Sequence, residues 1–213
     1  EKAGTEAGRI PGGHGVVHGR LSARFSEAAW VSEQIGGLDQ LFFLRGLAEQ
    51  MEKDWAGVLA KLEALRKVLI NRSAMLVNVT LDEANWKRIQ PQVADFVQAL
   101  PSAPFMPQRW NRQPVSVNEG LTIPAQVNYV GKGTNLYAQG YEPDGSIHVI
   151  RNYLGTTWLW DKVRVQGGAY GGFSVFDQNS GIFDYLSYRD PNILSTLDNY
   201  DNTVKFLRDL DLS

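Results

Sequence analysis

The sequence contains no cysteine, only three histidines and no long apolar run. Without cysteine it can form no disulfide, no thiolate nucleophile and no cysteine-ligated zinc site, although this does not identify the compartment. No apolar stretch approaches the roughly 20 residues that cross a bilayer. The first residues also lack the basic-then-apolar pattern of a signal peptide. We therefore expect a soluble chain with no membrane partner.

A surplus of basic residues is also missing. The chain has 21 Lys and Arg against 23 Asp and Glu, a formal net charge of −2. Such a chain offers no excess of cations to neutralise a phosphate backbone, which argues against nucleic-acid binding. Its composition, 43% hydrophobic and 21% charged, is that of an ordinary globular protein.

Hydrophobic periodicity in the first half predicts mainly helices. Residues 1–15 are rich in glycine and are expected to be a flexible lead-in. Alternation over residues 16–25 predicts a half-buried strand, and the short apolar segment 74–80 predicts another. Helical spacing recurs in three segments, at residues 38–51, 55–69 and 82–100. We expect the first two to pack as a hairpin and the third to continue past Pro91.

Four prolines between residues 101 and 114 predict a stiff linker and the best domain boundary in the chain. Beyond it the pattern predicts strand, helix, hairpin and helix. The segments are a strand at 121–130, one helix at 146–165 capped by Asp144, strands at 169–177 and 181–188 joined by 178–180, and a helix at 192–212. The predicted fold class is therefore α+β, with antiparallel sheet and packed helices.

His14 and His18 have the i, i+4 spacing of zinc-binding helices. The predicted strand would instead hold the two side chains about 13 Å apart, and no glutamate lies between them to act as a base. We expect no metal site here.

Two other motifs are rejected. Gly131–Thr134 (GKGT) lacks the spacing of a phosphate loop. Ser174 does not lie in a nucleophile elbow, and His148 has no evident acid partner. Neither nucleotide binding nor serine hydrolase chemistry is expected.

Residues 160–173, WDKVRVQGGAYGGF, hold the most informative pattern. Arg164 lies in the last turn of the predicted helix and Tyr170 begins the next strand, with glycines at 167 and 168 between them. A guanidinium and a phenol beside a bare backbone can hold a peptide carbonyl and stabilise an oxyanion. The alternative is a capped helix that simply enters a glycine-rich strand.

Two longer segments around this pattern are LWDKVRVQGGAYGGF at 159–173 and SGIFDYLSYRDPN at 180–192. Together with AAWVSEQIGG (28–37), FLRGLAEQ (43–50) and IPAQVNYVGKG (123–133), they resemble the presequence protease branch of the pitrilysin and insulinase metallopeptidases. Members of this family are built from two halves, each of two α+β domains, around a chamber for unfolded peptides.

The resemblance implies a specific part of such an enzyme. The zinc ligands and catalytic glutamate belong to the N-terminal half, in an inverted HxxEH motif that is absent here. Arg164 and Tyr170 match the arginine and tyrosine that the C-terminal half contributes to substrate binding, beside Gly167, Gly168 and Ala169. Residues 16–100 would then be the later part of a third domain, and residues 115–213 the earlier part of a fourth.

The resulting hypothesis is the substrate-binding, non-zinc portion of a zinc metalloendopeptidase, inactive alone. Its partners would be an unfolded peptide and the missing N-terminal half. The alternatives are a non-catalytic subunit of the same fold that binds peptides or a partner by strand addition, and a structural scaffold in which Arg164 and Tyr170 stabilise a turn. The enzyme would be cytoplasmic in a bacterium and in the matrix or stroma of an organelle in a eukaryote.

Overall fold

The computed structural model describes residues 12–107, 109, 111–112 and 118–210. It confirms the α+β class, with helices and a three-stranded antiparallel sheet. By contacts the chain forms two compact units: residues 46–111, and the residues before 46 together with those after 111. The predicted domains, 16–100 and 115–213, stay a prediction. No helix among the described residues is both long and apolar enough to span a bilayer.

The helices are α1 (Gly13–Phe25), α2 (Glu27–Gly36), α3 (Leu38–Lys53), α4 (Trp55–Leu69), α5 (Glu83–Ala99), α6 (Ser146–Thr156), α7 (Leu194–Asp201) and α8 (Thr203–Arg208). The strands are β1 (Gly131–Asn135), β2 (Gly171–Asp177) and β3 (Ile182–Tyr188). A π-helical turn covers Trp160–Gln166.

The sheet has the strand order β1-β3-β2, so β3 is central and pairs antiparallel with both neighbours. β2 and β3 form the predicted hairpin. In its turn the Asp177 carboxylate accepts a hydrogen bond of 3.0 Å from the Asn179 backbone N–H. The main core beside the sheet consists of Val130, Leu154, Leu159, Val163, Ala169 and Tyr200.

The strand predicted at residues 16–25 is wrong, because these residues lie in α1. The helix begins at Gly13, inside the expected lead-in, whose residues 1–11 lie outside the described part of the chain. Val17 and Leu21 both lie where a side chain on Gly131 of β1 would meet them. Residues four apart share a face in a strand and in a helix alike, which explains the error.

The strands predicted at 74–80 and 121–130 are also wrong. Residues 75–80 have no ladder partner among the described residues, and Leu76 is 94% exposed. In the second segment only Asn128 forms an isolated bridge, to Asp190, and the strand begins later, at Gly131. A strand needs a partner for its backbone groups, and Pro124 additionally lacks the N–H donor.

The single helix predicted at 146–165 is interrupted. α6 ends at Thr156, and the π-helical turn follows Thr157, whose φ and ψ of −120° and −89° are not helical. Asp144 does accept a hydrogen bond of 2.8 Å from the Ser146 backbone N–H at the start of α6. The last predicted helix is likewise divided, into α7 and α8 at Asn202.

In the unit of residues 46–111, Asn71 is buried and links two segments. Its side chain accepts from the backbone N–H groups of Ser73 (3.1 Å) and Ala103 (3.0 Å) and donates to the Ala103 carbonyl. The predicted helices are present, and α5 continues through Pro91. The leucines of α4 at positions 59, 62, 65 and 69 are exposed.

Candidate functional site

The π-helical turn carries Arg164 between the core and the glycines. Val163 is fully buried, and its carbonyl accepts a hydrogen bond of 3.1 Å from the Ala169 N–H. The Arg164 carbonyl accepts one of 2.9 Å from the Gly168 N–H. Such wide turns are rare and are frequently found at functional sites. The two hydrogen bonds fix the backbone of this segment, while the Arg164 side chain remains exposed.

Two glycines shape the segment that follows: one permits a sharp turn and the other permits close packing. Gly168 has a φ of +79°, in the left-handed region that residues with a Cβ rarely adopt. At Gly172 a Cβ would lie 2.7 Å from the Val163 Cβ and 3.1 Å from the Leu159 carbonyl oxygen. The second glycine therefore lets strand β2 lie directly against the π-helical turn.

The Arg164 guanidinium lies over an aromatic ring. Its Cζ is 4.0 Å from the Trp160 ring centroid, a cation–π contact that leaves the N–H groups at the guanidinium edge available. Among the described residues no carboxylate lies within salt-bridge distance of it. Arg164 is thus a positioned cation without an acidic partner in this part of the chain.

Tyr170 lies at the other end of the glycine turn and is 68% exposed. Its backbone N–H donates to the Tyr188 carbonyl at 2.9 Å, which ties the turn to β3. Its ring meets the Tyr188 ring edge-on, with centroids 6.4 Å apart. Within the described part of the chain no side chain hydrogen-bonds to its hydroxyl.

The sequence-predicted residues thus lie in one segment, with Arg164 and Tyr170 both exposed. Gly167 presents its carbonyl to the Asn192 side-chain amide, which donates a bond of 2.6 Å. Ala169 is buried in the main core, so only its backbone could meet a ligand. Contact of any of these residues with substrate stays a prediction.

Sequence reasoning missed Arg189 and Asp190, which follow β3. Arg189 has a φ of 48°. Asp190 is fully buried and accepts hydrogen bonds from the Asn192 N–H (2.8 Å) and the Thr196 hydroxyl (2.7 Å). The available signal was the dipeptide Asp190-Pro191 after a strand, which is typical of a turn.

The strand argument that separated His14 from His18 is wrong, because both lie on α1. Each nevertheless has its own contacts: His18 Nδ1 lies 2.7 Å from Asp184 Oδ2, and the His14 ring meets the Phe173 and Tyr188 rings. Hydrogen bonding to Asp184 raises the pKa of His18, and burial raises the pKa of Asp184. No group of three or more potential metal ligands occurs among the described residues.

The rejected motifs lie in regular structure. Gly131–Thr134 belongs to strand β1 rather than to a loop. Ser174 is buried in β2, and His148 on α6 lies against the Phe176 ring, with centroids 6.1 Å apart. The described residues therefore place no histidine on the Ser174 hydroxyl.

Comparisons with known proteins agree with the sequence resemblance. Residues 118–213 match the family model of the PreP C-terminal domain. The chain is 48% identical over 201 residues to presequence protease 1, chloroplastic/mitochondrial, of Arabidopsis thaliana, covering 94% of this chain and 19% of that protein. It is 31% identical over 211 residues to protein HypA of Clostridium perfringens, covering 99% and 21%.

A more distant relative is the mitochondrial presequence protease of Saccharomyces cerevisiae, 26% identical over 205 residues, covering 92% of this chain and 21% of that protein. These matches confirm the similarity to presequence proteases over nearly the whole chain. The chain spans about a fifth of the length of these relatives.

Proposed function

Since residues 118–213 match the family model of the PreP C-terminal domain, we propose that this chain is the substrate-binding part of a zinc metalloendopeptidase. The parent protein would degrade short unfolded peptides such as cleaved targeting peptides. The names of the relatives, which are presequence proteases of chloroplasts and mitochondria, support this substrate class. In a eukaryote the same names support the organelle matrix or stroma as the compartment, and in a bacterium we propose the cytoplasm.

The described residues do not fit a zinc site. No cluster of three His, Asp or Glu side chains suited to a metal occurs in the described part of the chain. We therefore assign the zinc to the remainder of the parent protein, and expect this chain to be inactive alone. Its contribution would be to hold and polarise the substrate.

The observation that supports this role is the pair of exposed donors at the two ends of the glycine turn. The Arg164 guanidinium and the Tyr170 hydroxyl have no hydrogen-bonding side chain near them among the described residues. Donors aimed at a carbonyl oxygen stabilise the negative charge that develops on it during peptide hydrolysis. The backbone that carries them is fixed by the buried Val163 and by the amide of Asn192.

Substitution in the full-length parent protein tests the role. We expect Tyr170→Phe, which keeps the ring, to lower kcat/KM about tenfold, and Arg164→Ala to lower it about 100-fold. Zinc content and the thermal unfolding midpoint should remain unchanged. Arg208→Ala, an exposed arginine on α8, is the matched control. Turnover equal to wild type in both site variants would contradict the proposal, and binding without cleavage would favour a non-catalytic subunit.

The unit of residues 46–111 has an exposed apolar surface that could bind other segments of the parent protein. A shallow groove of about 640 Å³ is lined by Val77, Val79, Arg88, Ile89, Gln92, Val93 and Phe96. Leu76 and Phe96 are 94% and 64% exposed. Because the relatives are about five times longer than this chain, we propose that other segments of the parent protein cover this surface.

A further inference from the structure

Arg189 has an unusual backbone conformation. It is the only non-glycine residue with a positive φ among the described residues, at 48°. The left-handed region is unfavourable for a residue with a long side chain. Strained residues persist where the surrounding structure determines them, and they cluster at functional sites.

The adjoining Asp190 supplies that surrounding structure. Its buried carboxylate holds the Asn192 N–H and the Thr196 hydroxyl, and its carbonyl accepts a bond of 2.7 Å from the Asn128 N–H. Asn192 in turn holds the Gly167 carbonyl. The same small network therefore fixes the backbone at Arg189 and the glycine turn that carries Arg164 and Tyr170.

The Arg189 side chain lies beside the proposed site. Its Cζ is 5.6 Å from the centroids of both the Tyr170 and the Tyr188 rings. The residue is exposed, and in the described part of the chain no carboxylate lies within salt-bridge distance of it. A guanidinium held against rings keeps its edge N–H donors for a ligand.

We propose that Arg189 is a further substrate contact, which binds a carboxylate of the peptide; this inference rests on the function proposed above. A guanidinium is matched to a carboxylate by two parallel hydrogen bonds. Arg164 and Arg189 flank the glycine turn, and neither has an acidic partner among the described residues. The Tyr170 and Tyr188 rings lie against the guanidinium and limit its movement. The site therefore favours peptides that place an acid here.

A peptide series in the full-length parent protein tests this. One substrate is made with Glu or Gln at successive positions, and with a free or an amidated C-terminus, so that side-chain and terminal carboxylates are distinguished. We expect the acid to be cleaved with about tenfold higher kcat/KM than its amide counterpart at one place in the peptide. Arg189→Asn should abolish this ratio. Arg189→Lys should retain part of it.

Asparagine adopts the left-handed region more readily than most residues, so Arg189→Asn removes the guanidinium without adding strain. Arg208→Asn is the matched control and should keep the wild-type ratio. The inference is overturned by an acid-to-amide ratio that is the same in Arg189→Asn and wild type, or by the absence of any preference. If either outcome is found while Arg164→Ala still slows cleavage of every peptide, the proposed function stands and this inference alone fails.

Discussion

At the scale of single residues, His18 and Asp184 connect α1 to the sheet. Asp184 is fully buried in β3, and its Oδ1 has no hydrogen-bond partner among the described residues. Its Oδ2 has His18 as partner. Loss of the imidazole would leave a buried carboxylate with both oxygens unpaired, which is costly in free energy.

We expect His18→Ala to lower the free energy of unfolding by about 2 kcal/mol at pH 6. The hydrogen bond with Asp184 raises the pKa of His18 above its ordinary value of 6.5. A raised pKa means that the folded state holds the proton more tightly, so the stabilisation is full below 6.5 and is lost as pH rises through the folded-state pKa.

Urea unfolding of both proteins at several pH values between 6 and 9 measures this difference. The wild-type protein should lose stability relative to His18→Ala as pH rises above 6.5. The difference between the two proteins cancels the contributions that both share. A constant difference across the range would contradict a raised pKa of His18 in the folded protein.

The sequence could place Arg164 and Tyr170 at the two ends of a glycine turn, because a cation at a helix end and a tyrosine after glycines are local features; their contact with substrate stays a prediction. It could not identify Arg189. The left-handed backbone there depends on Asp190, whose partner Asn128 is 62 residues away. Long-range hydrogen bonds of this kind leave no spacing pattern in the chain.

At the scale of elements, the contact between strand β2 and the π-helical turn depends on glycine at position 172, which has no side chain. Gly172 lies against Val163 and the Leu159 carbonyl, whereas a Cβ on the neighbouring Gly171 would meet no atom nearer than 3.9 Å. The two adjacent glycines of one strand thus provide a matched pair for testing this contact.

We expect Gly172→Ala to lower the free energy of unfolding by about 2 kcal/mol, because an added methyl overpacks a rigid contact. Gly171→Ala should change it by no more than about 0.5 kcal/mol. Urea denaturation of the two variants beside wild type measures both values. Equal stability of the two variants would show that the strand can move away from the turn at little cost.

Elements with a distinct local signal were predicted correctly. The β2–β3 hairpin has two β-rich runs and a polar turn, and α5 has both Asp82 as its cap and a helical period. α1 was mistaken for a strand because Val17 and Leu21 satisfy both periods. The interruption at Thr157 was missed because apolar spacing continues across it.

At the scale of the whole molecule, the apolar face of α4 stands out because it is exposed. Leu65 and Leu69 lie on one side of the helix and are 55% and 75% exposed. Scattered exposed leucines are common in proteins, but a continuous apolar face is typical of an interaction surface, and we expect other segments of the parent protein to cover it.

Leu65→Lys with Leu69→Lys tests this assignment. In the chain alone we expect no loss of helical circular dichroism. In the full-length parent protein the same pair should lower the unfolding midpoint by several degrees, because buried cations without partners are costly. Lys67→Gln, at an exposed position on the opposite side of the same helix, is the control. An unchanged midpoint in the parent protein would exclude this face as an internal interface.

The number of strands could not be predicted from the sequence, because it depends on which segments pair in the fold. Residues 75–80 have the composition of a strand, but a strand forms only where a neighbour completes its hydrogen bonds. The described residues contain no such neighbour for this segment. The fold class followed from local periods, whereas the number of strands did not.

The direction of the Arg164 side chain depends on the winding of the π-helical turn at Trp160–Gln166. A π-turn holds one residue more than an α-turn, and each residue advances an α-helix by about 100°. Conversion of this turn to α-helical winding would rotate the residues after it by about that angle relative to those before it. The orientation of the arginine therefore depends on a single surplus residue in the winding of the chain.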